Sequence, residues 1–264
     1  MRKLFLILLV VLTSSCSEYQ KLLKSTDYDL KYQKAMEYYQ SEDYMRAATL
    51  LKDLISIYMG TEKSEEALFV YANCLYGMRD YLMGSYRYSN FVQNYPTSDK
   101  AEEAQFMAAY CSYKMSRNPR LDQTETYEAL DGFQLFINLY PESPRVGEAT
   151  RLMDELRDKL VYKSYLNARL YFNLGNYLGN NYQSAIISAR NSLDEFPDTK
   201  YREELSFLIL EARYIEAVNS IEAKMEDRLR ATMDEYYSFI NEFPKSEYLR
   251  KANKIFEDVS SRLN

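Results

Sequence analysis

Histidine and tryptophan are both absent from this chain of 264 residues. Without histidine there is no Ser-His-Asp or Cys-His catalysis, no histidine-ligated metal and no imidazole pH switch. Glycine (7) and proline (6) are scarce. A β-sandwich or barrel of this size needs many tight turns, which draw on both residues. Long helices joined by short loops are therefore expected. No Gly-rich phosphate loop and no Cys-x-x-Cys occurs. An excess of basic charge is also missing: 33 Lys and Arg face 39 Asp and Glu, a net charge of −6. That argues against a general nucleic-acid binder. What the chain does have is 27 tyrosines, 12 phenylalanines and 47% hydrophobic residues, enough for a sizeable core.

Residues 1–15 read as a secretory signal peptide. Arg2 and Lys3 precede the apolar run Leu4–Leu12, which is too short to span a bilayer as a helix. The run ends in Leu12-Thr13-Ser14-Ser15-Cys16. Small residues before a cysteine resemble the bacterial lipobox, with the leucine one place further upstream than is usual. The resemblance implies that Cys16 is lipidated and becomes the mature N-terminus, followed by a linker over 16–27. Several acyl chains then hold the protein on the membrane. The absence of Asp after Cys16 resembles lipoproteins sorted to the outer membrane. Cys74 and Cys111 fall inside helical patterns and read as buried thiols, although such a compartment permits a disulfide.

From residue 28 onward the chain is organised by a repeat. One phrase, aromatic-Pro-x-Ser/Thr, occurs at Tyr95–Ser98, Tyr140–Ser143, Phe196–Thr199 and Phe243–Ser246, with a degenerate copy at Tyr58–Thr61. The proline stops one helix and the hydroxyl caps the next. Ser143-Pro144 suggests a cap with proline at the first helical position. Upstream of each joint lies a bulky residue, a small residue three on, then apolar positions four and seven further, as in Tyr44-Ala47-Leu51-Leu54 and Tyr81-Gly84-Tyr88-Phe91. The same spacing runs through Tyr182-Ala185-Ala189-Ser192 and Leu229-Thr232-Tyr236-Phe239, and in shorter form through Ala129-Phe133-Phe136. Steps of three and four mark one helix face, and the small residue permits close helix approach.

This pattern resembles the tetratricopeptide repeat, a helix-turn-helix unit. The joints lie 37, 45, 56 and 47 residues apart, so the array is irregular. The expected fold is all-α: a right-handed α-solenoid of about five irregular repeats. A loop is expected around Arg117–Thr124, extra helix about Arg145–Leu160, and a capping helix over Glu247–Leu263. The turns Ser41-Glu42-Asp43, Arg79-Asp80 and Gly179-Asn180-Asn181 suit tight helix pairs, with Gly179 and both asparagines tolerant of left-handed backbone. The expected divisions are repeats 1–3 over 28–141 and, over 142–264, a linking helix, repeats 4–5 and the cap.

Catalytic chemistry is not evident. The acidic pairs Glu65-Glu66, Glu102-Glu103 and Glu203-Glu204 open helices, where acids complement the macrodipole. No enzyme activity, cofactor or metal is expected. Most tyrosines occupy packing positions. In the repeat class, however, a concave groove is lined by set positions of the first helix of each unit. Mapped here, these are Tyr32, Met36 and Tyr39 in unit one, Phe69, Asn73 and Tyr76 in unit two, and Tyr113 in unit three. Aromatic rings with a polar tip are good peptide anchors. Asn73 stands where related repeats hydrogen-bond a ligand backbone.

The lipobox, the irregular repeats, Tyr32–Tyr39 and Ser143-Pro144-Arg145 followed by Arg151–Arg157 together resemble the BamD family of β-barrel assembly lipoproteins, in its Bacteroidetes-type form. That resemblance implies a non-enzymatic scaffold on the periplasmic face of the outer membrane. Its N-terminal repeats would bind unfolded outer-membrane barrel proteins. Its C-terminal repeats would dock the periplasmic domains of a BamA-type insertase. Other readings are a pilotin for secretin or pilus assembly, for which more regular spacing is expected, and a SusD-like glycan-binding lipoprotein, which would be about twice as long.

Overall fold

The computed structural model describes residues 18–264. Among them there is no strand, and no helix is long and apolar enough to cross a membrane. Cys16 and the signal segment lie outside the described residues. The expected all-α fold, a tetratricopeptide-like array of antiparallel helix pairs, is what forms. Its helices are α1 (Tyr28–Gln40), α2 (Tyr44–Ile57), α3 (Glu62–Gly77), α4 (Tyr81–Asn94), α5 (Ala101–Met115) and α6 (Thr124–Leu139). They continue as α7 (Val146–Leu174), α8 (Asn181–Glu195), α9 (Arg202–Val218), α10 (Glu222–Glu242) and α11 (Leu249–Leu263). Packing divides the chain into two compact units. One runs to Ser116 and takes in Thr124–Thr150; the other holds Arg117–Gln123 and Arg151–Asn264.

The joints act as the sequence suggests, with one refinement. α4, α6, α8 and α10 each stop two residues before the proline, because the residue preceding proline is pushed out of helical geometry. The hydroxyls of Ser98, Ser143, Thr199 and Ser246 then accept the backbone N–H two residues on. The next helix begins one residue after that. Pro144 accordingly lies in the turn ahead of α7 rather than in its first helical position. Two of these hydroxyls also tie neighbouring helix pairs of the first unit together: Ser98 donates to Glu65 and Ser143 to Glu102, both at 2.6 Å. One member of each of these acidic pairs therefore fastens a joint, in addition to complementing its own helix.

Asp27, Asp43 and Asp80 cap α1, α2 and α4 through their carboxylates. The left-handed residues ahead of two of these caps are Glu42 and Arg79, at φ 61° and 62°. In the third turn Gly179 is left-handed at φ 143°, but Asn180 is the cap of α8, accepting from the Gln183 N–H. Asparagine is a good N-cap for the reason it tolerates turns: a short side chain that reaches its own backbone.

The small residues Ala47, Gly84, Ala129, Ala185 and Thr232 are all buried, as are the residues four and seven beyond each. One continuous core links α1 to α3, and another links α3 to α5. In the second unit Ala168, Ala185 and Leu205 centre one cluster, and Phe207, Phe239 and Val259 the other. α11 supplies Ala252, Ile255 and Val259 to that last cluster and leaves its other face polar, the arrangement an array end requires.

Three features differ from expectation. The extra helix about Arg145–Leu160 continues to Leu174 as one element of 29 residues, since after Gly147 in its first turn no glycine or proline occurs before Gly175. Part of the expected linker is helical, over 18–24, and its Tyr19, Leu22 and Leu23 pack on the first core. The Lys31 ammonium, itself buried, donates to the Leu23 carbonyl at 2.8 Å and closes the end of that segment. Cys74 and Cys111 are free, buried thiols, and burial pushes both up to about 12.

Candidate functional site

Two assemblies of the first unit bring expected groove residues together. The larger begins on α5, where Phe106, Tyr110 and Tyr113 recur at steps of four and three and so share one face. Tyr110 stacks on Phe106 (5.9 Å, 19°) and on Tyr113 (5.6 Å, 17°). Tyr76, from the last turn of α3, reaches the same ring at 6.2 Å, and Tyr81 of α4 closes on Tyr76 at 5.7 Å. Tyr76, Tyr110, Tyr113 and Tyr81 are half-buried, so the ladder keeps part of its surface in water. Lys114 is exposed, and its ammonium lies 5.2 Å from the Tyr110 centroid. The hydrogen bond to Tyr110 raises the Lys114 pKa, which keeps the cation charged at any physiological pH. The Tyr76 hydroxyl is raised chiefly by burial and stays neutral. The ladder thus offers apolar ring faces, hydroxyl tips and one positive charge.

The second assembly is polar. Asn73 of α3 donates through Nδ2 to the Tyr39 hydroxyl at 3.1 Å, and its Oδ1 accepts from the Tyr88 hydroxyl at 2.6 Å. Tyr88 is buried, and burial is the main reason its hydroxyl is driven far above the usual range. Both ends of the Asn73 amide are therefore occupied within the fold, and the residue links α1, α3 and α4.

The remaining groove residues separate. Tyr32 donates to Glu66 at 2.5 Å, packs edge-on against Tyr58 and carries Lys63 over its ring. Met36 rests on the first core. Phe69 is 7% exposed and lies among Tyr88 and Phe91, so its ring is spent on packing. The structure joins Tyr39 to Asn73, and Tyr76 to Tyr113 through Tyr110. Tyr110 was missed in the sequence because only Tyr113 fell on a groove position. The spacing Phe106-Tyr110-Tyr113 was the available signal. Among the described residues no group of His, Cys, Asp or Glu is placed to hold a metal ion.

The role of Asn73 can be separated from that of the ladder. Asn73→Ala removes the acceptor of a buried phenol, which costs about 1–3 kcal/mol. A urea denaturation midpoint lowered to that extent is the expected result; an unchanged midpoint would show that Tyr88 finds another acceptor.

A family model described as an outer membrane lipoprotein, YfiO, matches residues 25–216. None of the curated proteins searched matches the chain. The family match spans most of the chain and covers α1 to α8 entire and nearly all of α9. The chain therefore belongs to the YfiO family of outer membrane lipoproteins, the BamD family that its repeats resemble.

Proposed function

We propose that this protein is a non-enzymatic scaffold of outer-membrane protein assembly, lipidated at Cys16 and held on the periplasmic face of the outer membrane. In this reading the first unit binds unfolded barrel precursors, and the second docks the periplasmic domains of a BamA-type insertase. The observation that supports client binding is the Tyr76–Tyr110–Tyr113 ladder with Lys114 at its edge. Its rings suit the aromatic residue that ends a barrel-sorting strand, and its cation suits the terminal carboxylate.

A fluorescent peptide ending in a free-carboxylate aromatic residue tests this. Saturable anisotropy with the full chain is expected, with weaker binding of the same peptide as its C-terminal amide. Equal binding of acid and amide would remove the role of Lys114, and no saturable binding of either would remove the client site. Detergent pull-downs test the second half: an insertase partner supports the reading, whereas a secretin or glycan transporter would replace it.

A further inference from the structure

In the second unit a groove of about 500 Å³ runs along α7 beside the 117–123 loop. Its apolar floor is Tyr162, Tyr165, Leu166 and Leu170, which recur at steps of three and four on one helix face. Leu170 is 56% exposed. The rings are held flat: Tyr162 and Tyr165 stack on each other and both stack on Tyr201. The opposite wall, Pro119 and Arg120, is fixed by the Lys163 ammonium, which donates to the Leu121 carbonyl at 2.6 Å and to the Pro119 carbonyl at 3.3 Å. Gln123 braces the loop from within by donating to the carbonyls of Asn118, Leu121 and Asp122.

The charge of this groove opposes that of the chain. Overall the acids outnumber the bases, yet no Asp or Glu occurs between Asp158 and Asp194. The groove lining contains Arg120, Lys163 and Arg169 and no carboxylate. The Lys163 ammonium is held by backbone carbonyls, which stabilise its charge without cancelling it. Arg169 donates to the Tyr165 phenol at 3.0 Å; it also lines an adjoining hollow that holds Glu204 and Glu211 of α9, so Arg120 and Lys163 are the cations that face this groove without a carboxylate in its lining. The Arg120 guanidinium has no partner among the described residues. Nor do the amides of Asn167 and Asn173, which also line the groove.

From this surface we infer that the α7 groove docks a peptide segment of a partner protein in which carboxylates alternate with apolar side chains. The tyrosine and leucine floor takes the apolar side chains, and the cationic rim takes the carboxylates. Asn167 and Asn173 each offer a donor and an acceptor, the complement of a peptide group. An anionic lipid headgroup matches the cationic rim, but it does not bring the regularly spaced donor and acceptor pairs of a peptide backbone. The site is separate from the aromatic ladder of the first unit and does not depend on it.

The test uses the full chain in detergent and a short labelled peptide of alternating Glu and Leu or Phe, with a Gln-for-Glu control. Saturable binding that weakens with added salt is expected. Arg120→Glu replaces an attraction by a repulsion at an exposed rim and should weaken binding about fivefold. Leu170→Ser should also weaken it without altering the circular dichroism. If the charge reversal does not fold, Leu170→Ser decides alone. The Gln peptide binding as well as the Glu peptide would overturn the inference, as would wild-type affinity in both variants. Binding of phosphatidylglycerol vesicles that depends on the same residues, with none of the peptide, would assign the groove to a membrane instead and overturn it.

Discussion

Gly132→Ala will destabilise the first unit by about 1–3 kcal/mol, and Gly132→Leu by about 3 kcal/mol or more. A Cβ built on Gly132 of α6 would sit 2.8 Å from the Ala109 Cβ and 3.2 Å from its Cα on α5. Neither atom can rotate away, so the two helices must separate. The separation loosens Phe133 and Phe136, both fully buried beside Phe106. Alanine gains about 1 kcal/mol of helix propensity over glycine, which is too little to offset overpacking against backbone. Gly84 supplies the control. Its Cβ would meet the Cys111 Sγ at 3.3 Å and the Tyr76 backbone N at 3.7 Å. The thiol can give by a few tenths of an ångström, so Gly84→Ala should lie within about 1 kcal/mol of wild type, while Gly84→Leu should lose about 1–3 kcal/mol. Urea denaturation followed by circular dichroism reads all four variants. A Gly132→Ala midpoint at or above wild type would mean that α5 and α6 do not approach as closely as described.

Tyr110→Ala will weaken binding of an aromatic-ended client peptide about thirty-fold. The ring touches Phe106, Tyr76, Tyr113 and the Lys114 ammonium at once. Truncating a central aromatic anchor often costs about 2 kcal/mol, and about 1.4 kcal/mol is tenfold. Tyr76→Ala, also in the ladder, should lose a comparable factor. Tyr110→Phe keeps the ring faces and should retain most of the affinity. Insertase association, measured by pull-down, should survive these changes, because that surface is assigned to the second unit. Unaltered peptide affinity in a folded Tyr110→Ala protein would remove the ladder from the client site. Loss of insertase association would exchange the roles of the two units.

Much of the architecture was legible because it rests on local rules. Proline ends a helix wherever it stands, and a serine or threonine after it accepts the next free N–H. Steps of three and four place Ala47, Leu51 and Leu54, or Tyr88 and Phe91, on a single face whatever that face meets. Those signals located the joints, the buried stripes and the terminal helix to within about two residues.

The functional positions were less legible, because a repeat register says which way a side chain starts and not what it meets. Phe69, Asn73 and Tyr76 all fell on groove positions. In the fold Phe69 is drawn between Tyr88 and Phe91, Asn73 is used up by two phenols, and Tyr76 alone joins a part-exposed ladder.

What the sequence by itself determined is the helical class, the repeat joints and the buried small residues, since each depends on backbone geometry within a few neighbouring residues. Only the tertiary structure decided that Tyr110 stands at the centre of the ladder, that Gly132 meets backbone where Gly84 meets a thiol, and that a loop at 117–123 walls the basic face of α7. Each of those is a contact between residues on different helices, or between a loop and a distant helix. Such contacts are set by how faces pack, which no local spacing encodes.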